Sequence, residues 1–268
     1  LCGHPIKDIY DLAIAFEYLH AATLFHDDVI DQAEKRRGKL SVYKKFGIEA
    51  AILAGDFLHA RSMEIIGKNG GLMSLKVFCR ATATMVDGEF LQLANAKNFN
   101  QSEHDYFKTI EGKTALLISA ATEIGAICGG ADEQKRSALM EYGRNLGYGF
   151  QIVDDLLDYL GNPQKTGKAI GNDLEEGKMT LPLIIAMRNA ESKDKKQLIN
   201  VLKDQVRRRD SFDLVYSLIE KYDGFELTRI RAEQFVEKAV KQLQIFGQEN
   251  RDVEILTGLA QYVLAREK

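Results

Sequence analysis

Two apolar, helix-patterned stretches of this chain carry the same acidic cluster: Asp27-Asp28-Val29-Ile30-Asp31 near the start and Asp154-Asp155-Leu156-Leu157-Asp158 past the middle. On a helix, residues i and i+4 share a face and i+1 lies not far off it, so each cluster gathers carboxylates at one spot on a cylinder. Like charges at that spacing destabilise a helix and push one another's pKa upward. The arrangement makes sense when cations sit between the acids. A solvated acidic face would have polar neighbours. Instead Leu24, Phe25, Val29 and Ile30 flank the first cluster, and Phe150, Ile152, Val153, Leu156 and Leu157 the second. Such sequence otherwise goes to a core.

The rest of the chain reads as helix. Only three prolines occur, Pro5, Pro163 and Pro182, and apolar residues recur with helical period over 9–30, 50–66, 75–93 and 114–127. An all-α chain with little strand is expected. The second acidic helix should run through Tyr159 and stop at Gly161-Asn162-Pro163, leaving 161–178 as a glycine-containing lysine loop over the carboxylates. Amphipathic helices over 214–222 and 230–246 carry no legible chemistry, and packing is their expected role. With 45% hydrophobic residues and no linker or composition break, 1–268 reads as one domain.

Oxygen ligands without a matching Cys or His cluster point to Mg²⁺ rather than Zn²⁺, and Mg²⁺ is usually held by one or two carboxylates plus substrate phosphates. The basic residues complete that chemistry. Lys35, Arg36, Arg37 and Gly38 follow the first cluster, Lys113-Thr114 comes mid-chain, and Lys165, Lys168 and Lys178 follow the second. Opposite metal-bearing carboxylates they form a clamp for a phosphorylated ligand. The net charge of −3 gives no support to a nucleic-acid partner, and Arg207-Arg208-Arg209 reads as a solvated face. Cys2, Cys79 and Cys128 are odd in number and set in apolar sequence, the pattern of buried thiols in a reduced cytoplasmic protein. No signal peptide and no transmembrane segment are expected, since Glu123 breaks the strongest apolar run.

Taken in order, His26-Asp27-Asp28-Val29-Ile30-Asp31 with Arg36-Arg37-Gly38, Gly55-Asp56-Phe57-Leu58, Gly88-Glu89, Lys113-Thr114, Phe150-Gln151 before the second cluster, Gly167-Lys168 with Asp173, and Gly177-Lys178 with Thr180-Leu181-Pro182 resemble the trans-isoprenyl diphosphate synthases, or polyprenyl synthetases. The match runs from about residue 11 to 190 at family spacing. The resemblance implies a single-domain helical bundle of isoprenoid-synthase type around a central cavity, and a homodimer. It implies a transferase that condenses isopentenyl diphosphate with an allylic diphosphate to a longer all-trans polyprenyl diphosphate. Asp27, Asp31 and Asp154, supported by Asp28, Asp155 and Asp158, would hold three Mg²⁺ ions on the allylic diphosphate. Arg36, Lys113, Lys168 and Lys178 would hold the diphosphate itself. Thr114 and Gln151, beside Phe150, would place oxygens near the allylic cation. Arg37 and His20 would bind isopentenyl diphosphate, together with a Gly-Gly-Lys-Arg segment of the family that would fall upstream of residue 1.

Product length turns on the helix that precedes Asp27. The growing chain would run alongside it toward the N-terminus, with Ala22, Thr23 and Tyr18 as wall and residues around Leu58, Ser62 and Ile65 as floor. In the family a large aromatic five positions before the first Asp ends growth at farnesyl, so Ala22 predicts a longer product, such as a quinone side-chain precursor. If Tyr18 turned inward, growth would stop near geranylgeranyl, which makes a geranylgeranyl diphosphate synthase the alternative. A terpene cyclase is disfavoured because both clusters are all Asp. A non-catalytic subunit of a heteromeric synthase would have lost carboxylates or lysines that are retained here, and apolar flanks speak against a phosphohydrolase.

Overall fold

The computed structural model describes residues 1–3, 7, 9–36, 38–161, 170–247 and 250–266. Helix α1 (Ile9–Ile30) leads into a two-residue antiparallel ribbon, β1 (Lys35–Arg36) and β2 (Lys39–Leu40), that turns at Gly38 with φ +76°. After α2 (Val42–Phe46) comes α3 (Ile48–Asn98), 51 residues long. The two helices expected over 50–66 and 75–93 are therefore one element, kinked at Gly71. That residue has φ +75° and ψ −178°, a conformation open to glycine and strained for any other residue.

Helix α4 (Glu103–Ile110), capped by the Ser102 side chain, passes through a π-helical turn (Glu111–Ala115) into α5 (Leu116–Cys128). The helix expected from residue 114 is the later part of this run. Helix α6 (Glu133–Leu160) starts at Asp132, whose side chain accepts from the Lys135 N–H, and ends at Gly161 as the sequence predicts. It packs against α5 and against the later helix Gly224–Gln242. A Cβ on Gly147 would meet the Ala115 Cα at 2.5 Å and one on Gly143 the Ser119 Cα at 2.8 Å, so the α5–α6 approach depends on both glycines.

The remainder is α7 (Asn172–Glu176), α8 (Leu181–Asn189), α9 (Ser192–Leu202), α10 (Gln205–Asp210), α11 (Phe212–Lys221), α12 (Gly224–Gln242) with a 3₁₀ turn (Leu243–Phe246), and α13 (Arg251–Ala265). The segment expected to be loop thus contains the helical turn α7. The helices expected over 214–222 and 230–246 are present but begin earlier.

Two apolar clusters hold these elements. The smaller joins Leu12, Ala15 and Leu19 of α1 to Ile66, Val77, Phe78 and Ala81 of α3 and to Ala120 and Ile124 of α5. Phe16 meets Phe78 edge to face at 5.4 Å. The larger gathers α4 and α6 with α8, α9, α11, α12 and α13 around Tyr142, Ile152, Tyr159 and the fully buried run Leu183–Met187. Glu123, which interrupts the apolar run of α5, is buried between Arg80 at 3.3 Å and Arg136 at 3.6 Å. Among the described residues no helix is long and apolar enough to cross a membrane.

Two smaller expectations are corrected. The cysteines are unpaired but half-buried rather than buried. Arg208 is not a solvated charge: its guanidinium donates to the Glu175 carbonyl at 2.9 Å and the Leu202 carbonyl at 2.7 Å, tying α10 to α7.

Candidate active site

Both acidic clusters lie where helices end. Helix α1 stops at Ile30 and α6 at Leu160, and neither has a basic residue in its last turn. The C-terminal end of a helix carries partial negative charge, so acids there add to an unfavourable field unless cations come from elsewhere. In both clusters the second aspartate is buried while the first and fifth are half-buried. The i, i+4 pair shares one face; the i+1 residue, about 100° round the helix, turns into the protein.

Each inward aspartate is held by the protein itself. Asp28, 2% exposed, accepts on Oδ1 from Arg36 Nη2 at 2.6 Å and Nε at 2.8 Å. Asp155, 5% exposed, accepts from the Tyr106 hydroxyl at 2.7 Å on Oδ2 and from Gln151 Nε2 at 2.9 Å on Oδ1. Thr114 Oγ1 donates in turn to Gln151 Oε1 at 2.8 Å. Burial first and the Asp173 charge second push the Asp155 carboxyl up to about 8 against the opposing Gln151 and Tyr106 hydrogen bonds. Asp28 and Asp155 thus turn inward onto the protein's own donors, and Arg36 is engaged with Asp28.

The half-buried acids sit among a second set of charges. Burial raises the Asp27 pKa, and Lys113 opposes that while Glu89 and Asp31 add to it. Lys113 Nζ is 2.6 Å from Glu89 on α3. A Cβ on Gly88 would meet the Lys113 N at 2.7 Å, so the glycine before Glu89 lets α3 touch the π-helical turn and brings lysine and glutamate together. π-Turns recur at functional sites, and this one carries both Lys113 and Thr114. Asp158 accepts the Asp173 N–H at 3.1 Å, at the start of α7, and burial with the Asp173 charge raises it to about 7. Lys178 lies 3.2 Å from Asp173 and 2.5 Å from Glu176. Burial works against its ammonium, but Asp173, Glu176 and Asp31 more than offset this and hold its pKa above the ordinary lysine value. The electrostatic reach of Asp31 to Glu176 and Lys178 links the end of α1 to the segment after α6.

The other expected residues are less drawn in. His20 is exposed on α1, and its carbonyl accepts from Thr23 Oγ1 at 2.8 Å. Tyr18 and Thr23 are half-buried and Ala22 is buried. Phe150 lies under the Arg266 guanidinium, 4.3 Å from the ring centroid. Arg37, Lys165 and Lys168 lie outside the described residues. Sequence reasoning missed Tyr106, Glu176 and Arg266 as site residues; it quoted Glu89 and Asp173 within motifs without a role. Tyr106 and Arg266 have no local signal, because their partners are distant in sequence.

Among the described residues no three His, Cys, Asp or Glu side chains form a ready-made ion cage. The donor set still fits a hard divalent cation that arrives with a phosphate ligand: oxygen donors only, two half-buried acids at each helix end, and acids whose pKa values are raised first by burial and then by neighbouring carboxylates.

An all-α bundle whose helix ends present acids beside half-buried lysines has the architecture of the isoprenoid-synthase class. Comparison with known proteins narrows this. The family model described as polyprenyl synthetase matches residues 2–219, and the chain belongs to that family. It is 37% identical over 257 residues to the octaprenyl diphosphate synthase of Escherichia coli K12, covering 96% of this chain and 79% of that protein. The polyprenyl synthase of Caulobacter crescentus CB15, solved with calcium and isoprenyl diphosphate, superimposes with a TM-score of 0.92 at 35% identity, over 98% of this chain and 80% of that one. A decaprenyl diphosphate synthase from Rhodobacter capsulatus gives 0.92 at 36% identity, over 100% and 82%. The all-α fold and the family expected from the sequence are borne out.

Proposed function

We propose that this chain is a prenyltransferase that adds isopentenyl diphosphate to an allylic diphosphate and carries the all-trans product beyond the farnesyl stage. The observation that carries the reading is the pair of acidic helix ends with Lys113 and Lys178 beside them, in a member of the polyprenyl synthetase family. Longer-chain synthesis draws support from relatives named octaprenyl and decaprenyl diphosphate synthase and from the small Ala22. A geranylgeranyl product is the less favoured alternative.

Asp27, Asp31, Asp154 and Asp158 would hold divalent cations, three Mg²⁺ in our reading, which supply neutralisation of the departing diphosphate. Lys113 and Lys178, with Lys168, bind and orient that diphosphate; Arg36 reaches it by sharing its guanidinium with Asp28. Asp155 and Tyr106 fix the Gln151 amide so that its Oε1 meets the Thr114 hydroxyl, placing two oxygens where the allylic cation develops. Neither is a strong nucleophile, so the cation survives until the isopentenyl double bond attacks, and the departed diphosphate takes the proton that the resulting cation loses. Arg37 and His20 receive isopentenyl diphosphate, and the apolar surroundings of both acidic clusters exclude water.

The chain acts as a homodimer in this reading. Leu53, Phe57, Val86, Phe90 and Leu93 of α3 are exposed, and a second copy would cover them. Incubation with Mg²⁺, farnesyl diphosphate and labelled isopentenyl diphosphate, with product sizing, tests the activity. Products longer than geranylgeranyl are expected; absence of any elongation would refute the assignment.

A further inference from the structure

The strongest unassigned feature of the site comes from the other end of the chain. Arg266 follows α13 directly, and its side chain is 3% exposed. Its Nη2 donates to Asp154 Oδ1 at 3.4 Å. The guanidinium lies 4.3 Å over the Phe150 ring, while Nε and Nη1 are buried with no hydrogen-bond partner. A buried guanidinium with two idle donors is costly, and a single 3.4 Å contact is much weaker than the bidentate pair arginine can form with a carboxylate. Asp154 meanwhile stands at the negative end of α6, close enough to Asp155 to raise it.

We propose that Arg266 is a resident counter-cation for Asp154 that exchanges partners on loading. In the metal-free protein it neutralises the carboxylate. When a divalent cation takes Asp154, the guanidinium stays over Phe150 by cation–π attraction and turns Nε and Nη1 to oxygens of the incoming diphosphate. The end of α13 is thereby part of the diphosphate site, and metal and diphosphate binding are coupled through one side chain. The inference rests on the reading of Asp154 as a metal ligand.

Calorimetry on the full chain separates the two, using Mn²⁺ alone and then Mn²⁺ with inorganic pyrophosphate. Arg266→Gln removes the competing charge and the fork. Its affinity for Mn²⁺ alone should rise about fivefold or more, while affinity for pyrophosphate in the presence of Mn²⁺ should fall about tenfold. Arg266→Lys keeps the charge without the planar fork, so Mn²⁺ affinity should stay near wild type while pyrophosphate binding weakens. That variant also serves if the Gln variant melts early. Asp154→Asn should weaken Mn²⁺ binding. If it does while Arg266→Gln changes neither affinity, Arg266 is a packing residue and the inference falls alone. If Asp154→Asn leaves Mn²⁺ binding unchanged, the metal-ligand reading falls and takes the inference with it.

Discussion

At the scale of single residues, the two kinds of aspartate in each cluster should fail in different ways. Asp27→Asn, Asp31→Asn and Asp154→Asn each keep the side-chain shape and lose a ligand charge, so turnover should fall by about two orders of magnitude or more. Melting temperature should hold or rise for the Asp27 and Asp31 variants, since each removes one of a crowd of like charges, whereas Asp154→Asn leaves the buried Arg266 guanidinium without its carboxylate and should lower it. Tyr106→Phe should behave oppositely. It leaves the buried Asp155 short of one donor, at a cost of about 1–3 kcal/mol of stability, and frees the Gln151 amide that Thr114 meets. Reduced turnover with unchanged metal affinity is the expected signature, measured by kinetics, calorimetry and thermal melts. A Tyr106→Phe protein that loses metal affinity instead would place Asp155 on the metal.

At the scale of elements, α1 does two jobs. Its C-terminal end carries the acids, and the turns before them face the α3 and α5 cluster where an elongating chain would run. Ala22, buried to 1% exposure, sits in those turns. Ala22→Phe should shorten the products while elongation continues, as sized by chromatography. If Ala22 is small only for close helix packing, the variant should lose stability without a change in product length. The π-helical turn matters at the same scale, because its backbone contact with Gly88 fixes where Lys113 and Thr114 project.

For the whole molecule, the raised carboxyl groups set a pH dependence. Asp27, Asp158 and Asp155 hold their protons more tightly folded than unfolded, so the folded state binds more protons above the ordinary carboxylate pKa. Stability of the metal-free protein should therefore fall as pH rises toward the raised values of about 7 and about 8. A divalent cation should offset the fall by taking the place of the protons. Thermal melts from about pH 5 to about pH 8.5, with chelator or with Mg²⁺, check this; a metal-free melting temperature that climbs across the range would contradict it. The exposed face of α3 gives a second test. If a second copy covers this face, as proposed, the protein should sediment as a dimer and Phe57→Glu combined with Phe90→Glu as a monomer, because a charge at each position would then be buried unpaired.

The sequence by itself determined the fold class and the location of the acids, because helical period, proline scarcity and the doubled cluster are all written in local spacing, and it showed the family through the resemblance of its motifs. It also marked Gly88-Glu89 and Asp173, though without their tasks. Only the tertiary structure decided which acids face inward. A helix fixes the angle between Asp27 and Asp28, but which side is core depends on where α3 and the ribbon carrying Arg36 lie. The same holds for Tyr106 with Asp155 and Arg266 with Asp154, whose partners are 49 and 112 residues apart. No local pattern encodes such contacts. They follow from the packing of whole helices, and that packing sorted six similar aspartates into two buried ones held by the protein's own donors and four left half-buried at the helix ends.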